Sequence, residues 1–328
     1  MLKMKAIVSR KYGTPEVFCY SEVIKPVPKS DEILIRVFAT TVTAADILMR
    51  KGTPLIGRVY LGLWKPKKNI LGFDFAGEIM EVGKDVSAFK IGDKVFGGTT
   101  ALGCYAEYVC VNAGDVVTTM PEKTNYEEAA PFSSSAITSW NFLKGKANIR
   151  NGQKVLINGA SGSLGTYAVQ IAKYFGAEVT GVCSSGNIEM VKSIGADHVV
   201  DYTKDDFTKN GEHYDIIFDT VGKRSFLQCK NSLTQNGKYL SSVFSISLLI
   251  QIIRTSVFGN KKAMSSATGL LPVKQRLNYL LELKELMKLG KIKTVIDHRY
   301  RLSEMEEAHI YVEKGHKKGN IIIAFQEE

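Results

Sequence analysis

The residues of this 328-residue chain best suited to chemistry are three glycines at fixed spacing. Val155, Leu156, Ile157 and Asn158 run through Gly159, Ala160, Ser161, Gly162, Ser163, Leu164 and Gly165 into a second apolar stretch ending at Phe175. A buried strand that turns through such glycines into a helix leaves room for a pyrophosphate. The helix N-terminus then offers it unsatisfied N–H groups and the positive end of a dipole. The spacing is G-x-x-G-x-x-G, not the commoner G-x-G-x-x-G, so its weight comes from the strand before it and the helix after it. A hydrolase nucleophile at Ser161 is discounted, because the elbow G-x-S-x-G lacks its final glycine.

About 20 residues past such a loop, a site selecting NAD presents a carboxylate to the ribose 2′-hydroxyl. That stretch here is Val182, Cys183, Ser184, Ser185, Gly186 and Asn187, with hydroxyls and an amide but no acid. Hydroxyls at Ser184 and Ser185 donate to a 2′-phosphate that an acid would repel, which favours NADP(H). Lys192, and remotely Lys317 and Lys318, are the bases to assist; Glu189 argues the other way. A relaxed site that takes both cofactors is the alternative.

These residues need a scaffold. The first 120 residues carry short β-branched and aromatic runs, Lys5–Ser9, Ile33–Phe38 and Tyr105–Val111, with Glu78–Val82 and Lys94–Phe96 as further strands. Glycine turns punctuate them, which predicts a small barrel. From Lys154 the pattern alternates: strands at Lys154–Asn158, Glu178–Cys183, His198–Asp201, Ile216–Asp219 and Tyr239–Val243, with helices at Leu164–Phe175 and Ile188–Ile194. Alternation of this kind predicts a doubly wound parallel sheet. A helix at Lys274–Leu289 and a strand at Ile321–Phe325 close the chain.

Composition bounds the partners. A net charge of +10 raises nucleic acid, membrane or an anionic ligand. The excess sits in two segments, residues 50–68 (+6, no acid) and 254–293 (nine bases, two acids). Neither shows the interleaved aromatics of an RNA-binding strand, so nucleic acid is not expected. The apolar segment Ser247–Phe258, followed by Lys261 and Lys262, suits a peripheral membrane contact; packing at a dimer interface or over a cofactor cleft is the preferred reading. Five cysteines without a C-x-x-C pair predict reduced thiols and a cytoplasmic location. The five histidines form no metal-binding pair, so no metal is expected.

Several motifs, in order along nearly the whole chain, resemble the zinc-free, quinone oxidoreductase-like branch of the medium-chain dehydrogenases/reductases. They are Gly72-Phe73-Asp74-Phe75-Ala76-Gly77, Gly92-Asp93-Lys94-Val95, Thr138 in Ala136–Trp140, the glycine loop, Gly195–Tyr202 and Gly315–Asn320. The resemblance implies a GroES-like β-barrel catalytic domain plus a Rossmann cofactor domain, in homodimers. The implied segments are 1–124 for the barrel, 125–267 for the Rossmann domain and 268–328 for a return that completes the barrel.

For cofactor contacts the resemblance implies Thr138 near the nicotinamide and Tyr202 near the adenosine phosphate. It also implies the Ser241-Ser242-Val243 loop along the nicotinamide pocket and Gly319 and Asn320 closing over it, with Val221 and Lys318 as further cofactor contacts. Gly159, Ser161, Gly162, Ser163, Leu164, Gly165, Cys183, Ser184, Ser185 and Lys192 complete the expected set. Zinc-dependent relatives carry a cysteine where this chain has Thr43 and a His-Glu pair where it has Phe73-Asp74. Many quinone reductases carry Asn at the position of Thr43 and Tyr at that of Leu48.

Without a Lewis acid, a conjugated acceptor is easier to reduce than a simple ketone. The expected activity is NADPH-dependent, zinc-independent hydride transfer to a quinone or an α,β-unsaturated carbonyl. Thr43 is the candidate oxygen-binding donor, with Tyr60 on the loop Gly52–Gly72 as another. Asp46 either fixes Thr43 or holds a proton. A non-catalytic NADPH-binding or RNA-binding protein of the same fold is the competing reading, and a zinc alcohol dehydrogenase is disfavoured.

Overall fold

The computed structural model describes residues 1–325, except the side chains of Ile56 and Tyr60. The chain divides into two units: residues 1–134, 272–288 and 294–328 form the first, and 135–271 with 289–293 the second.

The first unit opens with β1 (Lys3–Ser9) and β2 (Phe18–Ile24), an antiparallel pair. The long β3 (Glu32–Val42) follows, then helices α1 (Ala44–Lys51) and α2 (Arg58–Leu61). Next come β4 (Asp74–Val82), β5 (Lys94–Gly98), β6 (Tyr108–Asn112), β7 (Val116–Thr119) and the one-turn α3 (Tyr126–Ala129). Because β3 is eleven residues long and bulged, it serves three partners, β4, β6 and β15, the last strand of the chain. Alternate side chains of β3, Ile33, Ile35 and Val37, face a core with Phe75, Ile79, Val95 and Val109, as a two-residue strand period requires.

The second unit begins with α4 (Ser135–Trp140) and continues through β8 (Lys154–Asn158), α5 (Ser163–Tyr174), β9 (Glu178–Cys183), α6 (Ile188–Ser193) and β10 (His198–Asp201). It goes on through β11 (Tyr214–Asp219), α7 (Phe226–Cys229), β12 (Leu233–Ser241), α8 (Ile246–Val257) and β13 (Lys262–Ser265). Its six strands are parallel in the order β10-β9-β8-β11-β12-β13. The order reverses direction after β8, so a crevice opens at the carboxyl ends of β8 and β11, where such sheets bind ligands.

The chain returns to the first unit with α9 (Val273–Lys288), β14 (Ile296–Arg301), α10 (Met305–Glu313) and β15 (Asn320–Ala324), which pairs antiparallel to β3. Residues 125–134, expected to open the cofactor domain, pack instead with the first unit. Tyr126 stacks on Phe38 at 4.6 Å, and Ser133 and Ser134 donate to the Asp74 carboxylate. The strand expected at Tyr239–Val243 starts earlier and ends at Ser241, leaving Ser242 and Val243 in the loop beyond it.

Candidate active site

In the second unit, glycines let three loops converge over the sheet. Gly159 leaves β8 at φ +82°, and a Cβ there would stand 2.4 Å from Val221 Cγ2. A Cβ on Gly165 would meet the Gly159 carbonyl oxygen at 2.0 Å, so only glycine lets α5 start this close to β8. Gly222, also at positive φ, would drive a Cβ to 2.6 Å from that of Val243. The loops after β8, β11 and β12 therefore abut. Thr220 Oγ1 donates to the Asn158 carbonyl at 2.8 Å, and Ser242 Oγ to the Thr220 carbonyl at 3.2 Å.

Gly162 is the exception. A Cβ there would meet nothing nearer than 3.5 Å, and as N-cap of α5 it supplies no side-chain cap. The start of α5, whose N-cap is this glycine, thus leaves room over the helix terminus and fits a dinucleotide pyrophosphate. Thr138 lies one residue before Ser139, whose hydroxyl bonds the Leu164 carbonyl at 2.8 Å.

At the end of β9, sequence reasoning missed Asn187. Its side-chain N–H groups reach Ser161 Oγ and Ser184 Oγ, each at 3.2 Å, while its own Oδ1 is buried without a partner. The amide takes one lone pair on each hydroxyl, and each O–H remains able to donate to a ligand. The only signal in the sequence was its place in the Ser184–Asn187 stretch.

The expectation for Ser185 is corrected. Its hydroxyl donates to Asp201 Oδ2, and Thr203 donates to Oδ1 from both its N–H and its hydroxyl, at 3.0 and 2.7 Å. The Ser185 hydroxyl hydrogen is therefore engaged. Those hydroxyls hold Asp201 below the usual carboxylate range, so a negative charge stands beside the stretch that has no acid of its own. Strand pairing brings it there, with Asp201 opposite Cys183. The Cys183 thiol is buried and pushed up to about 11 by burial and by Asp201.

Tyr202 is half exposed and bonds the Cys183 carbonyl through its N–H at 3.1 Å. Lys192 does not turn to the serines: it lies in the last turn of α6 and pairs with Glu189 at 3.7 Å. Ser241 donates to the Val243 carbonyl, which sets the bend of that loop. Asp219, fully buried at the end of β11, accepts from Asn158, Val221, Gly222, Arg224 and Tyr239 and fixes the loop carrying Val221. Lys318, Gly319 and Asn320 belong to the first unit, where Asn320 bonds the Val295 carbonyl at the start of β15.

In the first unit, Thr43 is the N-cap of α1 and forms a capping box with Asp46. Asp46 Oδ2 accepts from the Thr43 N–H at 2.9 Å and from its hydroxyl at 2.5 Å. Asp46 is 1% exposed, its Oδ1 has no partner, and no cation pairs with it among the described residues. Burial raises its carboxyl to about 7, helped by Asp74 and opposed by the bonds from Thr43 and by Tyr105. Asp46 is therefore a carboxyl that changes protonation near neutrality, in direct contact with a half-buried hydroxyl. The Tyr60 side chain lies outside the described residues, and Leu48 is exposed.

Comparisons with known proteins bear on these two groups of residues. Residues 29–122 match the family model of the alcohol dehydrogenase GroES-like domain, and residues 194–323 that of a zinc-binding dehydrogenase. The chain is 30% identical to the mitochondrial NAD(P)H oxidoreductase RTN4IP1 of Mus musculus, over 98% of this chain and 89% of that protein. It is 32% identical to the chloroplastic quinone-oxidoreductase homolog of Spinacia oleracea, over 98% of each. The chain belongs to the quinone oxidoreductase-like medium-chain dehydrogenases/reductases. Among solved structures, the quinone oxidoreductase from Coxiella burnetii superposes with a TM-score of 0.86 at 28% identity, covering all of both chains.

Membership in this family makes the chain an oxidoreductase with a GroES-like unit and a Rossmann unit. It also implies a nicotinamide cofactor, which the open α5 terminus and the Ser161–Asn187–Ser184 cluster fit. Zinc, named in one family model, does not fit the side chains present. Thr43 and Phe73 offer no ligand where zinc-dependent relatives bind the metal. Among the described residues, no three His, Cys, Asp or Glu side chains gather as a metal site needs.

Proposed function

We propose that this chain is an NADPH-dependent reductase of quinones or α,β-unsaturated carbonyl compounds. The observation that carries this reading is the Thr43–Asp46 pair, a hydroxyl bonded to a buried carboxyl, at a position where relatives that reduce simple carbonyls carry a zinc ligand. A nicotinamide held by the glycine loop and the serines would supply hydride, with the proton that completes the reduction coming from solvent. The chain's own residues bind the cofactor and manage the charge on the acceptor oxygen.

Ser161 and Ser184, each with one lone pair taken by Asn187, donate to the cofactor phosphates, and the α5 terminus takes the pyrophosphate. With Asp46 ionised, the Thr43 hydroxyl spends its hydrogen on Asp46 Oδ2. With Asp46 protonated, the carboxyl donates to Thr43 Oγ1 instead, and the threonine hydrogen turns to the acceptor oxygen. Charge that develops there is delocalised in a quinone or enone, so one neutral donor suffices where a simple ketone needs a stronger electrophile. Asp201 leaves a negative charge near the ribose end, so the preference for NADPH over NADH is modest.

The test is an assay panel of NADPH and NADH against benzoquinones, naphthoquinones, enals and enones, with a simple alcohol and NADP⁺ as control. Turnover of quinones or enones with NADPH supports the proposal. Turnover confined to the alcohol, or a lower KM for NADH than for NADPH, refutes it.

A further inference from the structure

Helix α8 is apolar on two opposite faces, and the fold uses only one. Leu248, Gln251 and Thr255 are buried, with Leu248 and Ile252 against the core of the parallel sheet. Thr255 Oγ1 accepts the Ala263 N–H at 3.0 Å and ties the helix to β13. Ile246, Leu249, Ile250, Ile253 and Val257, spaced i, i+3, i+4, i+7 and i+11, fall on the opposite side of the same helix. They stay exposed: Ile250 by 56%, Ile253 by 60% and Val257 by 70%, with Phe258 beyond them at 71%. A helix apolar all round is normally covered all round.

Charge says what covers it. Between Thr220 and Leu271, the part of the second unit that includes α8, the sequence has seven bases and no acid. Arg254 is exposed on the flank of the stripe. Lys261 and Lys262 stand just past its end, Lys261 bonded to the Lys230 carbonyl and Lys262 to that of Thr255. A second copy docking through the same stretch would cover the isoleucines but bring no acid to these cations, since the stretch has none. A nucleic acid would answer the charge and leave the isoleucines uncovered. An anionic bilayer answers both, with acyl chains for the stripe and headgroups for the lysines and Arg254. Twelve residues span only about 18 Å, and no helix among the described residues is long and apolar enough to cross a membrane. The helix therefore suits lying in the interface.

We infer that the outer face of α8, with Arg254, Lys261 and Lys262, docks this protein on anionic lipid surfaces. The test is co-sedimentation of the full chain with vesicles of phosphatidylcholine alone or mixed with phosphatidylglycerol. We expect about tenfold more binding to the mixed vesicles, and a several-fold loss in about 0.5 M salt. The double variant Ile250→Glu/Ile253→Glu should lose binding about tenfold with its circular dichroism unchanged, and Lys261→Gln/Lys262→Gln should lose only the anionic preference. Should the glutamates impair folding, Ile253→Trp replaces them; its emission should shift to the blue on mixed vesicles alone.

No binding to either vesicle, or binding that the glutamates leave intact, overturns the inference. So does light scattering that shows a wild-type dimer which the glutamate variant splits, because the face is then a self-contact. Quinone turnover is a separate readout, since no residue of α8 belongs to the proposed reduction site.

Discussion

Replacing Asp46 by Asn tests how this buried carboxyl behaves. Its pKa rises from the ordinary 3.8 to about 7, and burial is the main cause. Between those values the unfolded chain is ionised at this position while the folded chain still holds its proton. The contribution to stability is whole below pH 3.8 and is lost as pH rises through about 7. Each tenfold difference in proton affinity between folded and unfolded chain is about 1.4 kcal/mol, so wild type loses about 3 kcal/mol from this group between about pH 5 and about pH 8.5. Asparagine does not titrate and loses nothing over that range. With Nδ2 in the place of Oδ2 it can donate to Thr43 Oγ1 as the protonated acid does, while the Thr43 N–H loses its acceptor at a cost that does not change with pH. Asp74, also buried and raised, is present in both proteins. Urea denaturation of both at the two pH values should show the variant gaining about 3 kcal/mol on wild type as pH rises. A gap that stays constant within about 1 kcal/mol would mean that Asp46 is ionised throughout, and the donor role of the Thr43–Asp46 pair falls with it.

Other perturbations reach the remaining parts of the site. Thr43→Val should lower kcat for quinone or enone about a hundredfold with the KM for NADPH unchanged, and Thr43→Ser should restore most of it; steady-state kinetics decide. Wild-type turnover should fall above about pH 7 as Asp46 ionises, whereas Asp46→Asn should flatten that limb; a pH–rate profile reads this directly. Ser184→Ala should raise the KM for NADPH several-fold and leave that for NADH unchanged, and Asp201→Asn should raise the NADPH preference about tenfold, both measured as kcat/KM ratios. Gly165→Ala, which sets a Cβ 2.0 Å from the Gly159 oxygen, should cost about 1–3 kcal/mol in thermal unfolding and weaken cofactor binding.

Much of this site was written locally. The glycine loop could be read because strand, turn and helix are contiguous, and β8, β9 and β10 begin and end where their sequence runs do. The Thr43-to-Asp46 spacing signals a helix cap by itself. Burial lifts the Asp46 carboxyl, and Asp74 and Tyr105, which act on it from opposite sides, are distant in sequence, so no local pattern carries the shift. Asp201 escaped for the same reason: it reaches Ser185 through the β9–β10 register, sixteen residues away. Strands β7 and β13 were missed because each has four residues and β14 because it is polar, whereas β2 was legible in its apolar run and was passed over; pairing with a neighbour specifies all four. The apolar run at Ser247–Phe258 was visible, but which of its two faces stays outside depends on β13 packing against the other.

The route of the chain through the first unit has a consequence for how the protein is made. β3 is in place after some forty residues, yet one of its partners, β15, is separated from it by most of the chain. During synthesis the long bulged strand must wait with an open edge until β15 has been made. The parallel sheet of the second unit is complete long before that, being continuous from β8 to β13. The Rossmann unit can thus mature first and tether the two halves of the other while the costly long-range closure is made. A nascent chain stopped short of β15 exposes an unpaired strand edge to its neighbours, so the last strand also guards against aggregation.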